Sequence, residues 1–152
     1  MSTKPKIVST FTGCGGMDIG LRDVGFETVW ANDFSLEATQ TYANFMGDHI
    51  VHGDITQIDP FTDESIPEAD LVTGGFPCQD FSMIWKRPGL DGKRGTLYQN
   101  FRDFVAAKQP KAFIAENVKG LLTANQHKAI ATIIEDLENV EPGYIVKPRL
   151  YN

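Results

Sequence analysis

The sequence predicts an α/β fold built on a doubly wound, mostly parallel sheet. Two observations carry that expectation. Short apolar runs of strand length alternate with helix-length segments along the whole chain, the pattern of parallel strands joined by crossovers. The first of these runs ends in a glycine-rich turn, Gly13-Cys14-Gly15-Gly16, of the kind that joins a strand to a helix around a ligand. A third observation concerns the strand ends, several of which carry a carboxylate or a thiol. Open α/β sheets bind their ligands at the carboxyl ends of strands.

The elements follow in order. Ile7 to Phe11 is apolar and β-branched enough for a first strand. Met17 to Val24 makes a short helix that Gly25 closes. Glu27 to Ala31 reads as the second strand, and Leu36 to Phe45 as a helix with Ser35 as its N-cap. A short third strand spans His49 to His52. A polar stretch punctuated by prolines, Asp59 to Glu68, leads to a fourth strand near Asp70 to Thr73. Leu97 to Lys108 has helical periodicity and stops before Pro110. Ala112 to Ala115 is a fifth strand, Gln126 to Asn139 the last helix, and Tyr144 to Leu150 reads as a sixth strand.

At 152 residues, with 41% hydrophobic and 22% charged residues, the chain suits one soluble domain, residues 1–152. No apolar stretch approaches the roughly 20 residues that span a bilayer. The start, Met1 to Lys6, lacks a secretory apolar segment, so a cytoplasmic setting is expected, or a nuclear one in a eukaryote. Cys14 and Cys78 show no metal-ligand spacing, and His49, His52 and His127 form no ligand pattern, so no metal is expected. A net charge of −6 speaks against the chain wrapping nucleic acid unaided. Against that average, Lys86 to Gly95 gathers four cations and three glycines in ten residues. It reads either as an ordinary solvated loop or, from its place beside Cys78, as a phosphate-touching lid.

The glycine turn is not the dinucleotide fingerprint, because the third glycine position holds Asp18, whose charge opposes a pyrophosphate and suits a cationic ligand. Asp33, twenty residues after Gly13, stands where an acid binds ribose hydroxyls, and Phe34 beside it can lie against an adenine face. Asp54 follows the third strand and can accept from an exocyclic amine. Strand-end acids are common in any α/β fold. Their order on three successive strands favours a nucleoside cofactor without phosphates, and S-adenosylmethionine fits that description. Cys14 reads as packing within the turn, and Trp30 as core.

The fourth strand runs into Gly74-Gly75-Phe76-Pro77-Cys78-Gln79-Asp80-Phe81-Ser82, and thirty-eight residues after the cysteine the fifth strand ends in Glu116-Asn117-Val118. A thiol and an acid at the ends of two neighbouring strands can face one substrate as nucleophile and proton donor. Cysteine is among the most buried residue types, and Glu116 could cap a helix, but the pairing of the two motifs argues for chemistry.

These residues carry a resemblance. Phe11-x-Gly13-x-Gly15-Gly16, Gly75-Phe76-Pro77-Cys78-Gln79-x-Phe81-Ser82 and Glu116-Asn117-Val118 resemble the DNA (cytosine-5) methyltransferases in order and spacing, with Gly53-Asp54-Ile55-Thr56 and Arg94-Gly95-Thr96-Leu97 between them. The resemblance implies the Rossmann-like fold of class I S-adenosylmethionine-dependent methyltransferases, here incomplete. It implies that Phe11, Gly13, Gly15 and Gly16 line the methionine end of the cofactor. Asp33 would hold the ribose, Phe34 stack on adenine, and Asp54 with Ile55 contact the base. Cys78 would attack carbon 6 of a cytosine flipped out of double-stranded DNA, while Glu116 hydrogen-bonds or protonates ring nitrogen 3. Gln79, Ser82, Lys86, Arg87, Lys93 and Arg94 would meet the nucleic acid, and Asn117 would hold local structure.

Members of that family continue with a Gln-x-Arg-x-Arg strand and a target-recognition region, neither of which is in this sequence. The expectation is therefore a fragment, or one half of a split enzyme that acts with a complementary C-terminal chain and is inactive alone. A tRNA-cytosine methyltransferase and a non-catalytic cofactor-binding fragment are the alternatives that the sequence leaves open.

Overall fold

A computed structural model describes residues 3–77, 97–123 and 128–151. Five parallel strands form one sheet in the order β3-β2-β1-β4-β5. They are β1 (Lys6–Thr10), β2 (Glu27–Asp33), β3 (Ile50–His52), β4 (Leu71–Gly74) and β5 (Ala112–Ala115). The helices are α1 (Gly16–Asp23), α2 (Leu36–Met46), α3 (Leu97–Lys108) and α4 (Lys128–Glu138), with single 3₁₀ turns at Ile55–Gln57 and Lys119–Leu122.

The order reverses between β1 and β4. From β1 the chain builds outward through β2 to β3, and from β4 it builds the other way to β5. Right-handed crossovers then place α1 and α2 on one face and α3 on the other, which makes the sheet doubly wound. The central strands are buried on both sides. Ile7, Val8, Ala31 and Val72 are sealed from solvent, as continuous apolar runs require.

Local signals set the helix ends. Ser35 caps α2, its hydroxyl accepting from the Ala38 amide at 3.2 Å. Gly25, at φ 102°, follows α1 in a left-handed conformation that glycine adopts without steric cost. Helix α3 buries Tyr98, Phe101, Phe104, Val105 and Lys108, a stripe at three- and four-residue spacing. The Lys108 ammonium donates to the Ile66 carbonyl at 2.7 Å, so a buried cation is satisfied by the long β3–β4 connection. Phe104 packs on Trp30 of β2 (centroids 5.3 Å), and Phe101 packs on Phe76 and on Phe113 of β5 (5.6 and 6.0 Å).

Two expectations change. The second strand runs on to Asp33, because Asn32 and Asp33 still have partners in Val51 and His52 of β3. The sixth strand does not form: residues 144–151 pair with no strand among the described residues. Their apolar alternation serves packing instead. Tyr144 stacks edge-on against Phe113 and donates to the Pro110 carbonyl at 2.8 Å, and the Val146 amide donates to Glu138, while Ile145 faces solvent.

The seam between β1, β4 and α3 leaves no room for a side chain at Gly74. A β-carbon there would meet both Phe101 and Thr10 Oγ1 at 2.5 Å. Gly74→Ala is expected to lower stability by about 1–3 kcal/mol through overpacking, read as a lower urea midpoint with an unchanged slope.

Tyr98 donates a short hydrogen bond to Asp136, joining α3 to α4. Burial, aided by the Asp136 carboxylate, pushes its phenol up to about 12 from the usual 10.0. The folded value lies above the unfolded one, so this stabilisation is whole below pH 10 and fades as pH climbs toward about 12. Urea midpoints measured across that window should fall, and fall less steeply in Tyr98→Phe. Tyr42 and Tyr144, also raised by burial, would account for the remainder.

Candidate active site

Where the strand order reverses, the ends of β1 and β4 diverge around a cleft of about 280 Å³. Phe11, Thr12 and Met17 wall one side, and Gly74, Gly75 and Glu116 the other. Ser9, Thr10 and Thr73 also line it, and all three are buried strand residues, so the floor is built of hydroxyls. Thr10 donates to the Thr73 carbonyl at 3.0 Å, closing the seam below.

The wall after β1 turns sharply. Phe11 has φ 52°, a left-handed conformation that a non-glycine residue adopts at some cost. Gly13 and Gly15 follow at φ 56° and 88°. A β-carbon at Gly13 or Gly16 would meet nothing, so the turn presents bare backbone to open space. Gly15 differs: it is buried, and a β-carbon there would strike the Tyr42 ring at 2.8 Å. Its small size is required by packing against Tyr42 of α2. Cys14, expected to pack within the turn, is exposed and free, because the loop directs it outward between two left-handed glycines.

Asp33 fixes this turn from the next strand. Its carboxylate accepts from the Gly13 amide at 2.8 Å and from the Ser35 amide at 2.9 Å. Each oxygen retains acceptor capacity, which a pair of ribose hydroxyls can fill. Phe34 beside it is 77% exposed, a large apolar ring with no protein cover that suits stacking. Asn32, wholly buried, donates to the Val51 and Gly53 carbonyls at 2.9 and 3.0 Å and so pins the end of β3 to β2. That anchors the exposed Asp54, whose carboxylate accepts from the amide and hydroxyl of Thr56 and starts a 3₁₀ turn. Ile55 is core, so only its backbone can face a ligand. Asp33, Phe34 and Asp54 thus lie along adjoining strand ends, beyond the cleft wall itself, and the Gly13–Asp33 bond links the two regions.

On the other wall Glu116 is exposed at the end of β5, and its amide donates to the Gly74 carbonyl at 2.8 Å. Its carboxylate lies so close to Gly75 that a β-carbon there would come within 3.0 Å of Oε2. Asn117 completes the joint, donating to the Phe76 carbonyl at 2.7 Å while its own oxygen accepts from Val118. The segment after β4 and the segment after β5 are therefore tied together. Cys78 itself, with Gln79, Ser82, Lys86, Arg87, Lys93 and Arg94, lies outside the described residues, as does Trp85.

The family model for C-5 cytosine-specific DNA methylases matches residues 5–152. The chain belongs to that family. Among curated relatives, the type II methyltransferase M.NgoFVII of Neisseria gonorrhoeae is 60% identical over 151 residues, covering 99% of this chain and 40% of the relative. The DNA (cytosine-5-)-methyltransferase M.ApeKI of Aeropyrum pernix is 39% identical over 150 residues, covering 85% of this chain and 32% of the relative. The chain thus spans about two-fifths or less of these relatives, and corresponds to their N-terminal part. In fold it is similar to the Dnmt2 methyltransferase of S. pombe, with a TM-score of 0.66 at 20% identity over 88% of this chain and 42% of that one.

Among the described residues no helix is long and apolar enough to cross a membrane, and no group of three or more His, Cys, Asp or Glu could hold a metal ion. Sequence reasoning missed the hydroxyl floor and the Asn32 clamp. For the latter the sequence offered only an asparagine directly after the expected end of the second strand.

The Asn117 joint has a testable polarity. Asn117→Ala removes a donor from the Phe76 carbonyl and should cost about 1–2 kcal/mol. Asn117→Asp should cost more, because an acceptor then faces that carbonyl. Urea unfolding of the two variants, side by side, gives the order.

Proposed function

We propose that this chain is the catalytic portion of a DNA cytosine-5 methyltransferase, a single S-adenosylmethionine-dependent domain. The observation that carries the reading is the Glu116 carboxylate set against Gly75, on the strand end that leads directly to Cys78 in sequence. It brings an acid to the segment bearing a thiol, at a switch point where α/β sheets bind ligands.

The residues present suit the cofactor. The open backbone at Gly13 and Gly16, with Phe11, would border its methionine end. Asp33 would take the ribose hydroxyls, Phe34 the adenine face, and Asp54 with the Ile55 backbone the base edge. When bound, S-adenosylmethionine supplies an electrophilic methyl group carried on a sulfonium.

Carbon 5 of cytosine is a poor nucleophile within an aromatic ring. The Cys78 thiolate adds to carbon 6, and the electron pair of the carbon 5–carbon 6 bond becomes available at carbon 5. Glu116 is the acid that would hydrogen-bond or protonate ring nitrogen 3 and so offset the negative charge that develops there. After carbon 5 has been methylated it loses its proton, and elimination of the Cys78 thiolate restores the ring. The base must leave the duplex first, at a cost of about a few kcal/mol. Gln79, Ser82, Lys86, Arg87, Lys93 and Arg94 are the residues we assign to DNA. A complementary C-terminal polypeptide is the partner we assign to the β5 edge, where Ile114 and Val118 are exposed.

Covalent trapping tests the reading. The chain, with S-adenosylmethionine and duplex DNA carrying 5-fluorocytosine, should give a denaturation-resistant adduct that Cys78→Ser abolishes. Glu116→Gln should slow adduct formation by about 10²–10⁴-fold. An adduct that forms only after a complementary chain is added means that catalysis is shared between two polypeptides. No adduct in either mixture removes the catalytic assignment.

A further inference from the structure

Asp18, in the first turn of α1, is wholly buried beneath the glycine turn. Its Oδ2 accepts from Thr12 Oγ1 at 2.7 Å and from the Tyr42 hydroxyl at 3.0 Å, while its Oδ1 has no partner. None of the ion pairs among the described residues involves it. The nearest candidate on its own helix, Arg22, turns outward to Asp23 and to the Phe45 carbonyl. A buried carboxylate satisfied only by hydroxyls is a costly arrangement in a protein interior.

The carboxylate also fixes the direction of every proton around it. A carboxylate only accepts, so the single hydroxyl proton of Thr12 points at Asp18. The contact between Ser9 and Thr12 (3.1 Å) must then be donated by Ser9. The Tyr42 proton is likewise committed, so His49 Nε2, 3.0 Å from that oxygen, carries a hydrogen and donates. Burial holds the His49 pKa below its usual range, with Asp18, Asp48 and Glu27 opposing, so His49 brings no countercharge at neutral pH. The chain Ser9→Thr12→Asp18 therefore has aligned dipoles. Ser9 and Thr12 both line the cleft, and because their protons are committed to Thr12 and Asp18, either hydroxyl can offer a ligand there only acceptor lone pairs.

We propose that Asp18 is a positioning residue that biases the cleft toward a sulfonium ligand over its neutral thioether product. The inference rests on the S-adenosylmethionine reading above. The buried charge and the hydroxyls it orients make the cleft's potential negative. The cofactor and S-adenosylhomocysteine share their amino acid, ribose and adenine, and differ at sulfur in a methyl group and one positive charge. Only that charge gains from Asp18. The bias would draw the methyl donor in and leave the spent product less firmly held.

The test is calorimetric binding of both ligands, without DNA, to the intact protein and to Asp18→Asn, which keeps the shape and can still accept from Thr12 and Tyr42. The expected result is about a fivefold to tenfold loss of S-adenosylmethionine affinity, with S-adenosylhomocysteine affinity changed less than twofold. Thr12→Val, which breaks the relay and keeps the carboxylate, should shift the same ratio in the same direction by a smaller factor. Equal losses for both ligands would reduce Asp18 to a structural brace and overturn the inference, as would no loss for either. Failure of the unaltered protein to bind either ligand would instead sink the cofactor reading, and this inference with it.

Discussion

The pairing of β1 with β4 is the contact on which the site depends. These strands lie side by side in register from Ile7–Leu71 to Thr10–Gly74, yet the chain leaves their ends toward opposite faces of the sheet. Nothing in the sheet can then cover the gap between the two departing loops. The cleft is thus a consequence of topology, and its depth follows from how tightly the seam closes beneath it. Gly74 sets that closeness, because only a residue without a side chain lets Phe101 of α3 and Thr10 of β1 meet across it. Replace the seam by a looser one and the walls holding Phe11 and Glu116 lose their common reference.

Charge imposes the second constraint. The glycine turn of a parallel sheet ordinarily favours an anion, because backbone amides and a helix N-terminus converge there. Here Asp18 and Asp33 bracket the turn with carboxylates, and Asp33 consumes the Gly13 amide outright. Two carboxylates in that position oppose a phosphate and are compatible with the positively charged cofactor proposed for this cleft. The hydrogen bonds that place them also hold the turn rigid, so electrostatic preference and shape are fixed by the same contacts.

Much of this was legible in the sequence, for identifiable reasons. Helix α3 and strand β5 have the bounds that periodicity and Pro110 imply, since both are governed by signals within a few residues. Ser35 caps α2 because capping is local. Asp33 and Phe34 were readable as strand-end residues, and the structure has Asp33 largely buried as the last residue of β2 with Phe34 exposed beside it. Tyr144 to Leu150 misled, because a strand exists only through a neighbour and its apolar alternation instead packs Tyr144 on Phe113. The relay from Ser9 through Asp18 to His49 was invisible, being assembled from β1, α1, α2 and the segment before β3 by tertiary structure alone. Gly15 was readable as part of the glycine turn, but its packing against Tyr42, twenty-seven residues away, was not.

The site divides sharply between what is buried and what is bare. Ser9, Thr10, Asp18, Asn32 and Thr73 are almost wholly enclosed, and Ser9, Thr10, Asn32 and one oxygen of Asp18 are held by hydrogen bonds within the protein. Glu116, Phe34 and Asp54 lie at the surface, and the large ring of Phe34 in particular covers nothing. An exposed aromatic costs free energy that folding does not recover. Such exposure is stable only because the enclosed residues beneath cannot relax to hide it: Asn32 pins the strand end below Asp54, and Asp33 holds the backbone on either side of itself. The rigid floor thus holds the rim open to solvent, where the proposed cofactor would cover it.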